Sequence, residues 1–162
     1  LKTGHTDEAG YCLVSSAVHN GMRLISVVMG AKSDRGRADE SQKLLTYGFR
    51  YFESHKLYSK NEALQDARVW LGESEALQLG VKEGAYITIP RGQEDNLTVE
   101  YSIDNIIKAP VIKGMEYGRV KVSLGEKVLM DKALYSLHEV KPAGFVARIW
   151  DYIKLFFYSL IS

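Results

Sequence analysis

The first residues whose types and spacing suggest chemistry are Lys2-Thr3-Gly4, followed by His5 and Thr6. Lys2 would supply a fixed positive charge, and Thr3 a hydroxyl donor for a substrate carboxylate. Gly4 would let an acyl group approach the backbone with no Cβ in the way. Neighbouring backbone N–H groups would then face a developing oxyanion. The triplet alone is a weak signal, because it occurs by chance in many proteins. Its setting sharpens it: it stands just before a hairpin of β-forming runs.

Little else in the chain groups into a site. The histidines (His5, His19, His55 and His138) lie far apart with no metal-ligand spacing, so no metal and no cofactor are expected. A single cysteine, Cys12, excludes an internal disulfide framework, and its place inside a strand run suits a buried small apolar residue. With 46% apolar and 25% charged residues in 162, the chain has the balance of a folded protein. A net charge of +1 gives no strong electrostatic footprint for nucleic acid. Asn96-Leu97-Thr98 fits a glycosylation acceptor pattern but reads as a turn and strand start.

The elements that must position Lys2–Gly4 come next. Residues 11–18 and 24–29 are short apolar runs rich in β-formers, separated by Asn20-Gly21, a dipeptide that tolerates the positive φ angles of a tight hairpin. Such runs fit strands of a sheet covered on both faces. The 30–36 stretch is polar and turn-like. After it, Ser41, Leu44, Leu45, Gly48, Phe49 and Phe52 recur at helical spacing. Residues 1–53 thus read as the closing strands and helix of a larger α/β domain. The chain opens on Leu1 rather than Met, which fits a fragment or a processed product.

Between 54 and 141 the period changes to two. Leu97, Val99 and Tyr101 alternate with Thr98, Glu100 and Ser102, and Val120, Val122 and Leu124 with Lys121 and Ser123. Glycines at 84, 92, 114 and 125 punctuate the runs, as in a small antiparallel β-sandwich or barrel. No acid, base and nucleophile come together there, so this is a structural or binding module.

Residues 142–162 form a third region. On a helical wheel Val146, Ile149, Trp150, Ile153, Phe156, Phe157, Leu160 and Ile161 fall within an arc of roughly 140°. Arg148, Asp151 and Tyr152 take the polar side, Lys154 borders it, and Leu155 is the exception there. About 18 residues would make a helix of roughly 27 Å, close to a bilayer core. Three charges in its first half argue against a span. An aromatic-rich apolar face with a charged back suits an interfacial helix, and docking on its own domain is the competing reading.

Lys2-Thr3-Gly4-His5-Thr6-Asp7, with Ala9-Gly10-Tyr11, resembles the third active-site motif of the low-molecular-mass penicillin-binding proteins that are D-alanyl-D-alanine carboxypeptidases. The resemblance continues through residues 22–26, Val28-Met29-Gly30, Gly36-Arg37 and residues 44–50. It returns at Leu79-Gly80-Val81, Thr88-Ile89-Pro90-Arg91-Gly92 and Asp151-Tyr152-Ile153-Lys154-Leu155. It therefore runs through essentially the whole chain in order. Class A β-lactamases share Lys-Thr-Gly but end soon after one closing helix.

The resemblance implies an α+β fragment: the end of a transpeptidase/β-lactamase-like α/β domain, a β-sandwich and an amphipathic anchor helix. The parent enzyme would act on the periplasmic face of the bacterial cytoplasmic membrane as a peripheral protein. It would remove the terminal D-alanine from peptidoglycan pentapeptides by serine acylation, and β-lactams would bind there. Lys2 is then implied for active-site electrostatics, Thr3 for the substrate carboxylate, and the His5 backbone N–H for the oxyanion hole. Gly4 gives substrate room, and Arg37 is a second carboxylate partner. The family's Ser-x-x-Lys and Ser-x-Asn motifs belong N-terminal to Lys-Thr-Gly and are not in that position here. The chain alone is accordingly expected to be inactive, its partners including the missing N-terminal part. The alternative is a non-enzymatic β-module on a membrane-surface helix that positions or docks a partner.

Overall fold

A computed structural model describes residues 1–145 and 148–154 of the chain. It is mostly β, with antiparallel sheets and two helices, and its chain divides into two compact units. The first comprises Leu1–His55 with Thr88–Asp95, and the second Lys56–Ile87 with the chain from Asn96 onward.

In the first unit, β1 (Lys2–Thr6), β2 (Gly10–His19) and β3 (Met22–Ala31) form an antiparallel sheet in that order. Asn20 and Gly21 adopt φ of 48° and 78°, so the hairpin closes with His19 opposite Met22. Leu13, Ser15, Ser26 and Val28 alternate onto one buried face. Helix α1 (Asp34–Tyr51) packs on β2 and β3. Ser15, Ser26 and Ser41 bring three buried hydroxyls together at 2.6–2.7 Å, each bonding the other two.

Three features of this unit differ from the sequence expectation. The polar stretch after Gly30 is not all turn, because the Ser33 hydroxyl accepts the Gly36 N–H at 3.0 Å and starts α1 at Asp34. The sheet is covered on one face only: Ile25 is 68% and Met29 77% exposed, with Val14, Val18 and Val27 beside them. Strand alternation sends these side chains away from α1. Cys12 is half-buried rather than buried.

Thr88–Asp95 groups with the first unit although it lies more than thirty residues further along the chain. Polar contacts account for this. The Arg91 guanidinium donates to the Phe49 carbonyl at 3.0 Å, the Gly92 N–H to Glu53 at 3.1 Å, and the Ser54 and Thr88 hydroxyls meet at 2.7 Å. These residues lie in or beside β4 (Phe52–Tyr58) and β7 (Ala85–Pro90), which pair as a two-stranded ribbon.

The second unit is built on a sheet of β8 (Leu97–Ile103), β10 (Glu116–Leu124), β11 (Lys127–Ser136), β6 (Ala76–Gly80), β5 (Ala63–Trp70) and β9 (Ile107–Lys108), in that spatial order. Its core holds Val69, Leu77, Leu79, Val120, Val122 and Leu134, each at most 1% exposed. The period-two pattern at Val120 and Val122 thus marks a buried face. One pairing is parallel, β5 with β9, against the all-antiparallel expectation. No hairpin constrains two strands so distant in sequence, and pairing buries Val69 against the edge position of Ile107.

Beyond β11, Val140 exchanges backbone bonds with Val111, and the Ala143 N–H reaches the Leu71 carbonyl at 2.8 Å. Helix α2 (148–154) follows. Ile149, Trp150 and Ile153 of the expected apolar face are exposed. Val146, Phe156, Phe157, Leu160 and Ile161 lie outside the described residues. Asp151 departs from its expected place on a solvated polar side. It is only 8% exposed, because its carboxylate accepts the Leu71 N–H.

Candidate active site

Strand β1 is an edge strand, paired on one side through Thr3 opposite Leu13, Gly4 opposite Cys12 and His5 opposite Tyr11. All five of its residues are exposed. Lys2, Thr3 and Gly4 are thus consecutive residues of one accessible strand. The Lys2 ammonium donates to the Thr3 carbonyl at 2.7 Å.

Gly4 has an extended, unstrained place in the ladder. An added Cβ would meet nothing closer than the Cys12 Cβ at 4.0 Å. Packing within this chain does not demand a glycine there. Open space on the strand is what an acyl group approaching the backbone needs.

Arg37 comes from the second turn of α1, so the Ser33 cap that begins the helix early also brings Arg37 to β1. Its guanidinium donates to the Gly4 carbonyl at 3.1 Å and to the Cys12 carbonyl at 3.2 Å, and it pairs with Asp34. The side chain is 14% exposed and lies over the Tyr11 ring, 5.5 Å from its centroid. Arg37 thus ties α1 to β1 and β2 at the glycine of the motif. Tyr11 is a residue that sequence reasoning did not single out as functional. It stacks on His5 with ring centroids 4.0 Å apart, so it sits under both His5 and Arg37. The signal for it is the short turn at residues 7–9 between β1 and β2, which sets His5 opposite Tyr11.

A second polar cluster in the first unit surrounds Glu53. The Gly92 N–H, followed by His55 and Arg91, holds its carboxyl below the usual range, against an opposing push from burial. His55 lies 3.4 Å from both Glu53 and Glu94. This cluster secures the 88–95 segment and includes none of the expected site residues.

A family model described as D-alanyl-D-alanine carboxypeptidase matches residues 1–33, and one described as penicillin-binding protein 5, C-terminal domain, matches residues 52–142. The chain belongs to the low-molecular-mass penicillin-binding proteins. Among individual relatives it is similar to the D-alanyl-D-alanine carboxypeptidase DacC of Escherichia coli K12, with 42% identity over 98% of this chain and 40% of the relative. It is 38% identical to DacA of Haemophilus influenzae over its full length and 42% of that relative. Among solved structures, penicillin-binding protein 5 from H. influenzae matches at TM-score 0.79 and 38% identity, over 87% of this chain and 42% of that one. The carboxypeptidase DacD from Francisella tularensis matches at TM-score 0.62 and 30% identity, over 88% of this chain and 36% of that one. The chain spans about 40% of the length of the curated relatives it matches.

Proposed function

We propose that the chain is the C-terminal part of a serine-type D-alanyl-D-alanine carboxypeptidase, the parent of which trims the terminal D-alanine from peptidoglycan pentapeptides. One observation carries this reading: Lys2-Thr3-Gly4 lies on an exposed edge strand with free space at Gly4, in a chain of this family. Lys2 supplies positive charge to the site, the Thr3 hydroxyl donates to the terminal carboxylate, and the His5 N–H serves the oxyanion. Arg37 holds the strand through the Gly4 carbonyl, and the fork of five guanidinium donors lets it also serve as second carboxylate partner. The apolar outer face at Ile25 and Met29 fits the remainder of an α/β domain, which would cover it in the parent.

The 162 residues contain no Ser-x-x-Lys, so the chain alone forms no acyl-enzyme. β-Lactams, which acylate the same serine, belong with the parent. The C-terminal region, 142–162, holds the parent at the periplasmic surface of the cytoplasmic membrane, with Ile149, Trp150 and Ile153 facing the lipid. Among the described residues, no helix is long and apolar enough to cross a membrane.

Intact-mass measurement after incubation with a labelled penicillin tests the reading. The 162-residue chain stays at its own mass and the parent gains one adduct. A stoichiometric adduct on the short chain would refute the missing-nucleophile argument. In the parent, Thr3→Val lowers kcat/KM about tenfold to a hundredfold, since a hydrogen bond to a charged group contributes roughly 1.5–3 kcal/mol. Unchanged kcat/KM would remove Thr3 from the site.

A further inference from the structure

Asp151 is a buried carboxylate that the carboxypeptidase chemistry leaves unused. It is 8% exposed, whereas the other residues described in α2 are all exposed. A carboxylate taken from water needs a specific partner to be tolerated. Asp151 has two: its Oδ2 accepts the Leu71 N–H at 3.0 Å, and the Lys154 ammonium lies 3.7 Å from its Oδ1.

Leu71 is an unusual receiver. Its φ is +64°, a left-handed conformation rare for leucine, and its side chain is buried at 4% exposure. Both of its backbone polar groups go to the chain's last segment. Its carbonyl accepts the Ala143 N–H just before α2, and its N–H goes to Asp151 within α2. Two attachments to one residue, eight positions apart along the chain, fix the rotation of α2 about its own axis as well as its distance.

That rotation has a consequence. At about 100° per residue, Ile149 and Ile153 lie roughly 160° around the helix from Asp151, and Trp150 lies about 100° away. With Asp151 facing Leu71, the isoleucines face away from the second unit, in agreement with their exposures of 48% and 45%. We propose that Asp151 is a positioning residue, a latch that locks α2 onto Leu71 and turns its apolar side outward toward an anionic lipid surface. The lipid assignment rests on the membrane-surface reading above, and Arg148 and Lys154, each about 60° around the helix from Asp151 on opposite sides, put one cation at each border of the apolar side, where anionic headgroups would meet them.

Two measurements on the full 162-residue chain separate the latch from the membrane reading. In amide hydrogen exchange, Asp151→Ala speeds exchange at Leu71 at least tenfold while Val120 and Val122 are unchanged. Asp151→Asn, which keeps an acceptor of the same shape, stays within a few-fold of the parent chain. Unchanged Leu71 exchange in Asp151→Ala overturns the latch. Equal acceleration at Val120 and Val122 overturns it too, by making Asp151 an ordinary stabilising residue. For the second measurement, a nitroxide is placed at Glu126→Cys in a Cys12→Ser background and the chain is bound to phosphatidylglycerol-containing vesicles. The label tumbles with restricted amplitude when Asp151 is present and more freely in Asp151→Ala, although both chains pellet. Equal mobility overturns the orienting role. If the Asp151-containing chain does not pellet at all, the membrane reading falls, and Leu71 exchange still decides the latch.

Discussion

Replacing Arg37 by alanine tests whether the arginine builds the site as well as serving it. The guanidinium donates to the carbonyls of Gly4 and Cys12, on adjacent strands, at 3.1 and 3.2 Å. Hydrogen bonds with a charged partner contribute roughly 1.5–3 kcal/mol each, and the exposed setting of β1 favours the low end. The pair with Asp34 adds little, since that carboxylate is 75% exposed and screened by solvent. Loss of the side chain therefore destabilises the β1 edge by about 2–4 kcal/mol, a large share of the roughly 5–15 kcal/mol that holds a typical domain together. In amide exchange this is an acceleration of about 30- to 1000-fold across Lys2–Thr6, at roughly tenfold per 1.4 kcal/mol. The ladder between β10 and β11 should not respond. Arg37→Lys keeps the charge but offers one point donor where the fork reached two carbonyls, so its effect is intermediate. If β1 exchanged at the parent rate in Arg37→Ala, the two carbonyl contacts would contribute nothing, and Arg37 would act only on substrate.

Two further outcomes follow from buried polar groups. Ser41→Ala removes one hydroxyl from the Ser15–Ser26–Ser41 triangle and leaves the other two short of a partner, so urea unfolding of the first unit shows a loss of about 1–3 kcal/mol. Replacing all three serines by alanine costs less than the sum of the single changes, because no hydroxyl is then stranded. Burial, and then a hydrogen bond with Tyr101, pushes the Tyr58 phenol well above its ordinary range. The folded chain favours the neutral phenol, so this contribution is complete below the unfolded pKa of about 10 and declines as pH rises beyond it. Alkaline unfolding of Tyr58→Phe shows a shallower loss of stability above that pH. An unchanged slope would take Tyr58 out of the alkaline response.

The β2–β3 hairpin was legible because Asn20-Gly21 fixes its turn and register, whereas the facing of Gly4 with Cys12 and of His5 with Tyr11 is set by the separate short turn at residues 7–9, where the Ala9 N–H donates to the Thr6 hydroxyl. The alternation at Val120 and Val122 was legible too, because a half-buried strand repeats every two residues. The one-sided covering of the first sheet was not. Val14, Ile25 and Val27 carry the composition of a strand buried on both faces, and composition does not say which covering elements lie within the 162 residues. The early start of α1 depends on one serine hydroxyl, a cap signal masked by the polar residues around it. The parallel β5–β9 pairing is set by burial of Val69 and Ile107, two positions with no local link in the sequence.

Asp151 shows why an amphipathic wheel is an incomplete description of a helix. The wheel places every charged residue with the solvent, because it weighs side chains by transfer preference alone. Position in the fold adds a second criterion, namely whether a backbone donor lacks a partner nearby. Leu71, with its φ of +64°, turns its N–H out of the strand ladder, and a carboxylate satisfies that donor where an apolar side chain cannot. The polar side of α2 is thus the side that docks, and the apolar side is left free. For a helix packing by hydrophobic burial the order would be reversed. Docking through the charged side removes the conflict between a helix bound to its own domain and one lying on a membrane. A single carboxylate lets α2 do the first while its isoleucines and tryptophan remain available for the second.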